Sequence, residues 1–243
     1  MEHKDQWIER VAKPFWHKNS ELQDYQLFMR DAPRAVIADQ DNFYSCADGV
    51  VLYNKIVKST QEKVEIKNVP YSVDEILGEE GLFEGPSLIC GVFMTFADVH
   101  INRVPYTSTL EYKLIDPIQS MNFSMDAQEE KIFGNKVSLK HRRIEGVQNL
   151  YMNNNARMLN TFYIPRYDYK FYVVQIADFD VNTILPFNAK QKQMHMQGDR
   201  FSFIRWGSQC DLILPLRKDL NIKPLIPKDM HVEAGVDKVA SLV

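Results

Sequence analysis

No apolar run in this chain is long enough to span a bilayer. The best stretch, Leu88 to Ala97, is short and is followed at once by Asp98 and His100. Glu2, His3, Lys4 and Asp5 stand where a secretory leader would be apolar, so no export signal is expected. Neither sign of charge dominates: 29 Lys and Arg against 32 Asp and Glu leave a net charge of −3. That balance excludes the basic stripe of a polyanion binder, and no nucleic acid is expected as a partner. Cysteine is scarce. Cys46, Cys90 and Cys210 are odd in number and widely spaced, with neither the pairing of a zinc site nor that of a disulfide framework. They read as reduced, buried thiols of a cytoplasmic protein with no metal. Internal repeats, low-complexity tracts and long linkers are also lacking, so one domain is the simpler organisation.

What is present divides at about residue 33. Trp7, Ile8, Val11, Phe15 and Trp16 fall near helical spacing, and a second short helix is expected through Leu22 to Met29. Residues 1–33 therefore read as a helical N-terminal segment packed on the main body; an amphipathic membrane contact is the sharper alternative. From residue 34 to 243 the pattern is β-rich. Strands are expected over Val36 to Tyr44, Gly49 to Val57, Val64 to Val69, Ser87 to Phe96, Ser108 to Ile115, Val147 to Tyr151, Met158 to Ile164, Phe171 to Ile176, Phe201 to Ile204 and Asp211 to Leu216. Ser72 to Leu77 reads as a helix, with Ser72 and Glu75 in capping-box positions. The expected fold is mostly β (α+β), a β-sandwich or partly open barrel behind a helical lead-in. The tail from Pro227 to Val243 is weakly patterned and reads as loosely ordered.

Three stretches carry chemistry. The first is Cys46-Ala47-Asp48-Gly49-Val50. The second ends an apolar run in Asp98-Val99-His100-Ile101-Asn102-Arg103-Val104-Pro105. Asp98 and His100 would share one face of a strand, where a carboxylate can fix an imidazole's tautomer and raise its basicity. The third is Phe203-Ile204-Arg205-Trp206-Gly207-Ser208-Gln209-Cys210-Asp211. Gly207 has no Cβ, so its carbonyl carbon is open to attack, and the Ser208 hydroxyl lies one residue downstream. A Gly-Ser pair alone is usually only a turn.

Together, and in this order over roughly residues 40 to 216, these stretches resemble the phosphatidylserine decarboxylase family. Ala47-Asp48-Gly49 resembles its early aspartate motif, the Asp98–Pro105 run its central histidine motif, and Gly207-Ser208 its self-cleavage site. Softer matches are Lys67 to Gly78 and Asn155-Ala156-Arg157, where Ala156 replaces an acid. The resemblance implies that residues 34–243 are a catalytic domain made as a proenzyme. The Ser208 hydroxyl adds to the Gly207 carbonyl and shifts the amide to an ester, the ester opens by β-elimination to leave dehydroalanine, and water hydrolyses that residue with loss of ammonia to a pyruvoyl group, an electron sink for decarboxylating an amine-bearing acid.

The family's usual second histidine is replaced by Arg103, a cation that cannot act as a base. A single-histidine version of the motif also occurs among the family's archaeal-type and soluble members. The expected base is then His100, oriented by Asp48 or Asp98, with Arg103 and Asn102 left to stabilise an oxyanion or bind substrate. Expected partners are a phospholipid or a small amino-acid substrate, with peripheral membrane contact and a homodimer as open options. A non-cleaving binding relative is the alternative outside enzymes. His195 reads as a surface residue, His141-Arg142-Arg143 as a small basic cluster, and the aromatic stretch Tyr163 to Tyr172 as core and edge strand.

Overall fold

The computed structural model describes residues 1–15, 29–35, 38–66, 69–115, 131–134, 155–177, 184–187, 190–205 and 208–242. The chain opens with strand β1 (Glu2–His3) and helix α1 (Lys4–Trp7), which continues as a wider coil over Ile8–Ala12 and a tight turn over Lys13–Phe15. Then come β2 (Asn42–Tyr44), β3 (Gly49–Val57), the hairpin β4 (Val64–Ile66) and β5 (Val69–Tyr71), and helix α2 (Val73–Leu77). They are followed by β6 (Ser87–Met94), β7 (Ile101–Arg103), β8 (Ser108–Ile115), β9 (Arg157–Ile164) and β10 (Tyr169–Ala177). The remaining strands are β11 (Ile184–Pro186), β12 (Gln193–His195), β13 (Arg200–Ile204), β14 (Ser208–Pro215), β15 (Ile222–Pro224), β16 (Met230–Val232) and β17 (Lys238–Leu242).

The expectation of a mostly β protein holds. Nine strands form one open antiparallel sheet in the order β1-β16-β3-β6-β14-β10-β9-β8-β12. Smaller sheets β11-β13-β7, β15-β17-β2 and β4-β5 complete the set among the described residues, and none closes into a barrel. The central strands read as unbroken apolar runs because both of their faces are covered. In β6, Leu88, Cys90, Val92 and Met94 enter one core with Phe162, Phe171 and Leu212. Ile89 and Phe93 enter the other, with Trp7, Tyr172 and Ile213. Burying one such side chain contributes about 1.5–3 kcal/mol, so these two layers carry the sheet's cohesion.

Gly91, midway along β6, has the Tyr53 ring where a Cβ would stand, 2.3 Å from the nearest ring carbon. The Tyr53 hydroxyl then reaches Asp211 at 2.6 Å across the sheet. Helix α2 forms as its capping box predicts: Glu75 N–H donates to Ser72 Oγ, and Ser72 N–H to the Glu75 carboxylate.

Several expectations need correcting. The tail is ordered: β15 and β17 pair with each other, β17 with β2, and β16 with β3 and β1. Val232, Val239, Ala240 and Leu242 are buried there, on strands too short to show a period. His195 is buried at the end of β12, opposite Ser108 on β8. Its exposed neighbours Met194 and Met196 mask that alternation. Tyr169, Phe171 and Tyr172 are core as expected, but β9 and β10 are interior rather than edge strands. Within Val36 to Tyr44 the only strand among the described residues is β2. The segments 16–28 and 147–151, and His141, Arg142 and Arg143, lie outside the described residues. No helix among the described residues is long and apolar enough to cross a membrane.

Candidate active site

β6 ends at Met94 because the chain turns at once. Thr95 N–H and Oγ–H both donate to Asp98 Oδ2, at 2.8 and 2.7 Å, and Asp98 N–H returns to the Thr95 carbonyl at 2.9 Å. Asp98 and His100 therefore do not share a strand face. The turn joins them through the main chain, with His100 Nδ1 lying 2.9 Å from the Asp98 carbonyl oxygen. A carbonyl only accepts, so Nδ1 carries the proton and the neutral ring's lone pair sits on Nε2. His100 is fully buried, and burial holds its pKa down to about 4 despite the nearby Asp98, so the ring is neutral near pH 7. The His100 carbonyl accepts from Ile204 N–H at 3.1 Å, which ties the turn to the end of β13.

β13 leads through residues 206 and 207 into β14. Trp206 and Gly207 lie outside the described residues; Ser208 is placed by its backbone, as the first residue of β14. There it is in register with Met94 of β6 on one side and Ala177 of β10 on the other. Ser208 of the expected cleavage pair thus begins a strand beside Met94, the last residue before the Thr95–Asp98 turn.

Asp48 arrives from the loop before β3. Gly49, at φ +151°, packs so tightly on β6 that a Cβ would lie 2.1 Å from the Phe93 carbonyl oxygen. That contact lets the Asp48 loop lie against the same strand end. Asp48 is buried; its Oδ1 accepts from Ala234 N–H at 2.7 Å and its Oδ2 from Arg34 Nη2 at 2.7 Å. Arg34 Nη1 also bonds Glu233. Burial pushes Asp48 up to about 6, offset in part by Arg34 and reinforced by the charge of Asp98. Two carboxylates, Asp48 and Asp98, therefore share the neighbourhood with opposite shifts. Burial pushes Asp98 up as well, but the His231 charge and hydrogen bond and the Thr95 donors outweigh it and leave its carboxyl below the usual range.

Asn102 and Arg103 lie on β7, and their bonds run into the scaffold. Asn102 Oδ1 accepts from Gln175 at 2.6 Å, and its Nδ2 donates to the Cys46 carbonyl at 3.3 Å. Arg103 donates from Nη1 to the Gly198 carbonyl and from Nη2 to the Ala32 carbonyl, both at 2.8 Å. These contacts hold β7 and the 31–34 segment in place beneath the site. The three cysteines are unbridged and buried, as expected.

The sequence reading missed four participants. Thr95 closes the turn. Arg34 pairs with Asp48. Arg30 donates to the Ala97 carbonyl at 3.0 Å and brings a positive charge that His100 feels. His231, from β16, bonds Asp98 Oδ1 through Nε2 at 2.7 Å. Thr95 lies in the apolar run that leads into the Asp98–Pro105 motif, and the other three lie in stretches without one. Only the short apolar Met230–Val232 run could have hinted at a strand that presents His231.

The phosphatidylserine decarboxylase family model matches residues 25–240, nearly the whole described site. A phosphatidylserine decarboxylase proenzyme of Erythrobacter litoralis is 26% identical over 208 residues, spanning 86% of this chain and 69% of the relative. One of Beijerinckia indica is 28% identical over 208 residues, with the same coverage. A third, of Novosphingobium aromaticivorans, is 26% identical over 215 residues, or 88% of this chain and 71% of the relative. No solved structure gives a significant match. With the ordered motifs, the match across both halves of the site and these relatives in agreement, the chain belongs to the phosphatidylserine decarboxylase family, a family of carboxy-lyases.

Proposed function

We propose that this protein is a phosphatidylserine decarboxylase that cuts its own chain between Gly207 and Ser208 and turns Ser208 into a catalytic pyruvoyl group. The observation that carries the reading is the convergence of the start of β14 with the turn holding Asp98 and His100, fixed by the Ser208–Met94 register. A chain end at 208 would begin opposite Met94, the residue that leads into the turn carrying Asp98 and the buried neutral imidazole of His100.

In the proenzyme, His100 Nε2 takes the Ser208 hydroxyl proton as Oγ adds to the Gly207 carbonyl carbon, and Asp98 stabilises the charge that forms on the ring. Asp48, poised near 6, is the second proton-handling group. In the mature enzyme the pyruvoyl carbonyl supplies the electron sink for loss of carbon dioxide from the substrate amine acid. His100 then holds the proton that the product carbon receives. Arg103 and Asn102 are assigned to keeping β7 and the segment before Asp48 in place, and Arg30 to the substrate's anionic group.

Denaturing mass spectrometry tests the reading directly. Two fragments meeting at Ser208 are expected in place of one mass near 28.4 kDa. Vesicles containing phosphatidylserine should yield phosphatidylethanolamine. A single intact mass overturns self-cleavage, and conversion of a soluble amino acid with none of the lipid overturns the substrate.

A further inference from the structure

The mechanism above leaves unused the buried partner of Asp98, the residue on the turn that presents His100. Asp98 Oδ1 and His231 Nε2 are 2.7 Å apart, with side chains 1% and 5% exposed. Trp7 stacks on the imidazole, its ring centroid 4.2 Å away and the planes 11° apart, so the ring cannot tilt off the carboxylate without moving the N-terminal segment. His231 is itself placed from both sides, in register with Val50 of β3 and Glu2 of β1.

We infer that His231 is a positioning residue that acts through Asp98 to fix the orientation and tautomer of His100; the inference rests on the proposed role of His100. Three donors hold the Asp98 carboxylate: Thr95 N–H and Oγ–H on one oxygen, and His231 on the other. They hold the turn in the one conformation that aims the Asp98 carbonyl at His100 Nδ1. Without His231 a buried carboxylate oxygen loses its hydrogen-bond partner. Asp98 must then take up a proton or rotate toward another donor, and either change moves the carbonyl that His100 bonds. The family's usual second histidine is Arg103 here, and Arg103 serves carbonyls of the scaffold. His231 brings a second imidazole to the site from the other end of the chain, in a supporting rather than a reacting position.

Two variants separate positioning from packing. His231→Gln keeps an N–H that can reach Asp98, whereas His231→Leu keeps apolar contact with Trp7 and loses the donor. Self-cleavage at Ser208, followed by denaturing mass spectrometry, is expected to slow about tenfold or more in His231→Leu and to recover most of its rate in His231→Gln. Equal slowing in both variants, or none in His231→Leu, overturns the inference. A second readout does not need cleavage. In the Ser208→Ala chain, two-bond proton–nitrogen spectra should show His100 neutral and protonated on Nδ1, a signature lost in the added His231→Leu and kept in His231→Gln. An unchanged signature in His231→Leu overturns the inference whatever the cleavage result. If the parent chain does not cleave, the proposed function fails on its own and the ring spectrum still decides the role of His231.

Discussion

At the residue scale, two buried groups titrate against each other. His100 is held down to about 4 by burial, so unfolding takes up a proton between that value and the ordinary 6.5, and stability rises with pH across this window. Asp48 is pushed up to about 6, again by burial, so the folded chain keeps a proton that the unfolded chain loses from 3.8 upward. Its contribution falls as pH rises through nearly the same window. Each slope is at most about 1.4 kcal/mol per pH unit, and in the parent they largely cancel. Removing one partner should expose the other. Urea midpoints of Asp48→Asn should rise from about pH 4 to about pH 6, and those of His100→Gln should fall over the same span. Gly49 gives a steric prediction: Gly49→Ala puts a Cβ 2.1 Å from the Phe93 carbonyl oxygen at φ +151°. It should cost about 2 kcal/mol or more in urea unfolding and should stop cleavage in whatever fraction still folds.

At the element scale, the long strands were legible and the short ones were not. Gly49–Val57 and Ser108–Ile115 form with the predicted bounds, because β-branched and aromatic residues are frequent along both between turn signals. β15, β16 and β17 escaped notice because strands of three to five residues are too short to show a period. They form through partners distant in sequence, which no local pattern announces. The same reason hid half of the site. Asp48, Asp98 and His100 sit in recognisable motifs, whereas Arg34 and His231 are brought in by tertiary pairing alone. Helix α2 serves as a control for predictions at the site. Ser72→Ala removes one half of the capping box and should cost about 1 kcal/mol in thermal unfolding, while leaving self-cleavage at the parent rate.

At the scale of the whole molecule, β14 is an interior strand, flanked by β6 and β10 along most of its length. The stretch after the proposed cut also supplies β15, β16 and β17, which hold β3, β1 and β2. Cleavage would therefore sever one bond and leave every ladder intact. Native mass spectrometry of the processed protein should find both fragments in one particle, and only denaturant should part them. Folding, in contrast, would change its molecularity. The uncut chain inserts its central strand as a tethered, unimolecular event, whereas two separated pieces would have to meet before that strand could find its slot. On dilution from urea, the Ser208→Ala chain should refold with a yield independent of concentration, and the processed protein with a yield that falls as it is diluted. Maturation would make the protein a one-way assembly, persistent while folded and hard to rebuild once its pieces drift apart.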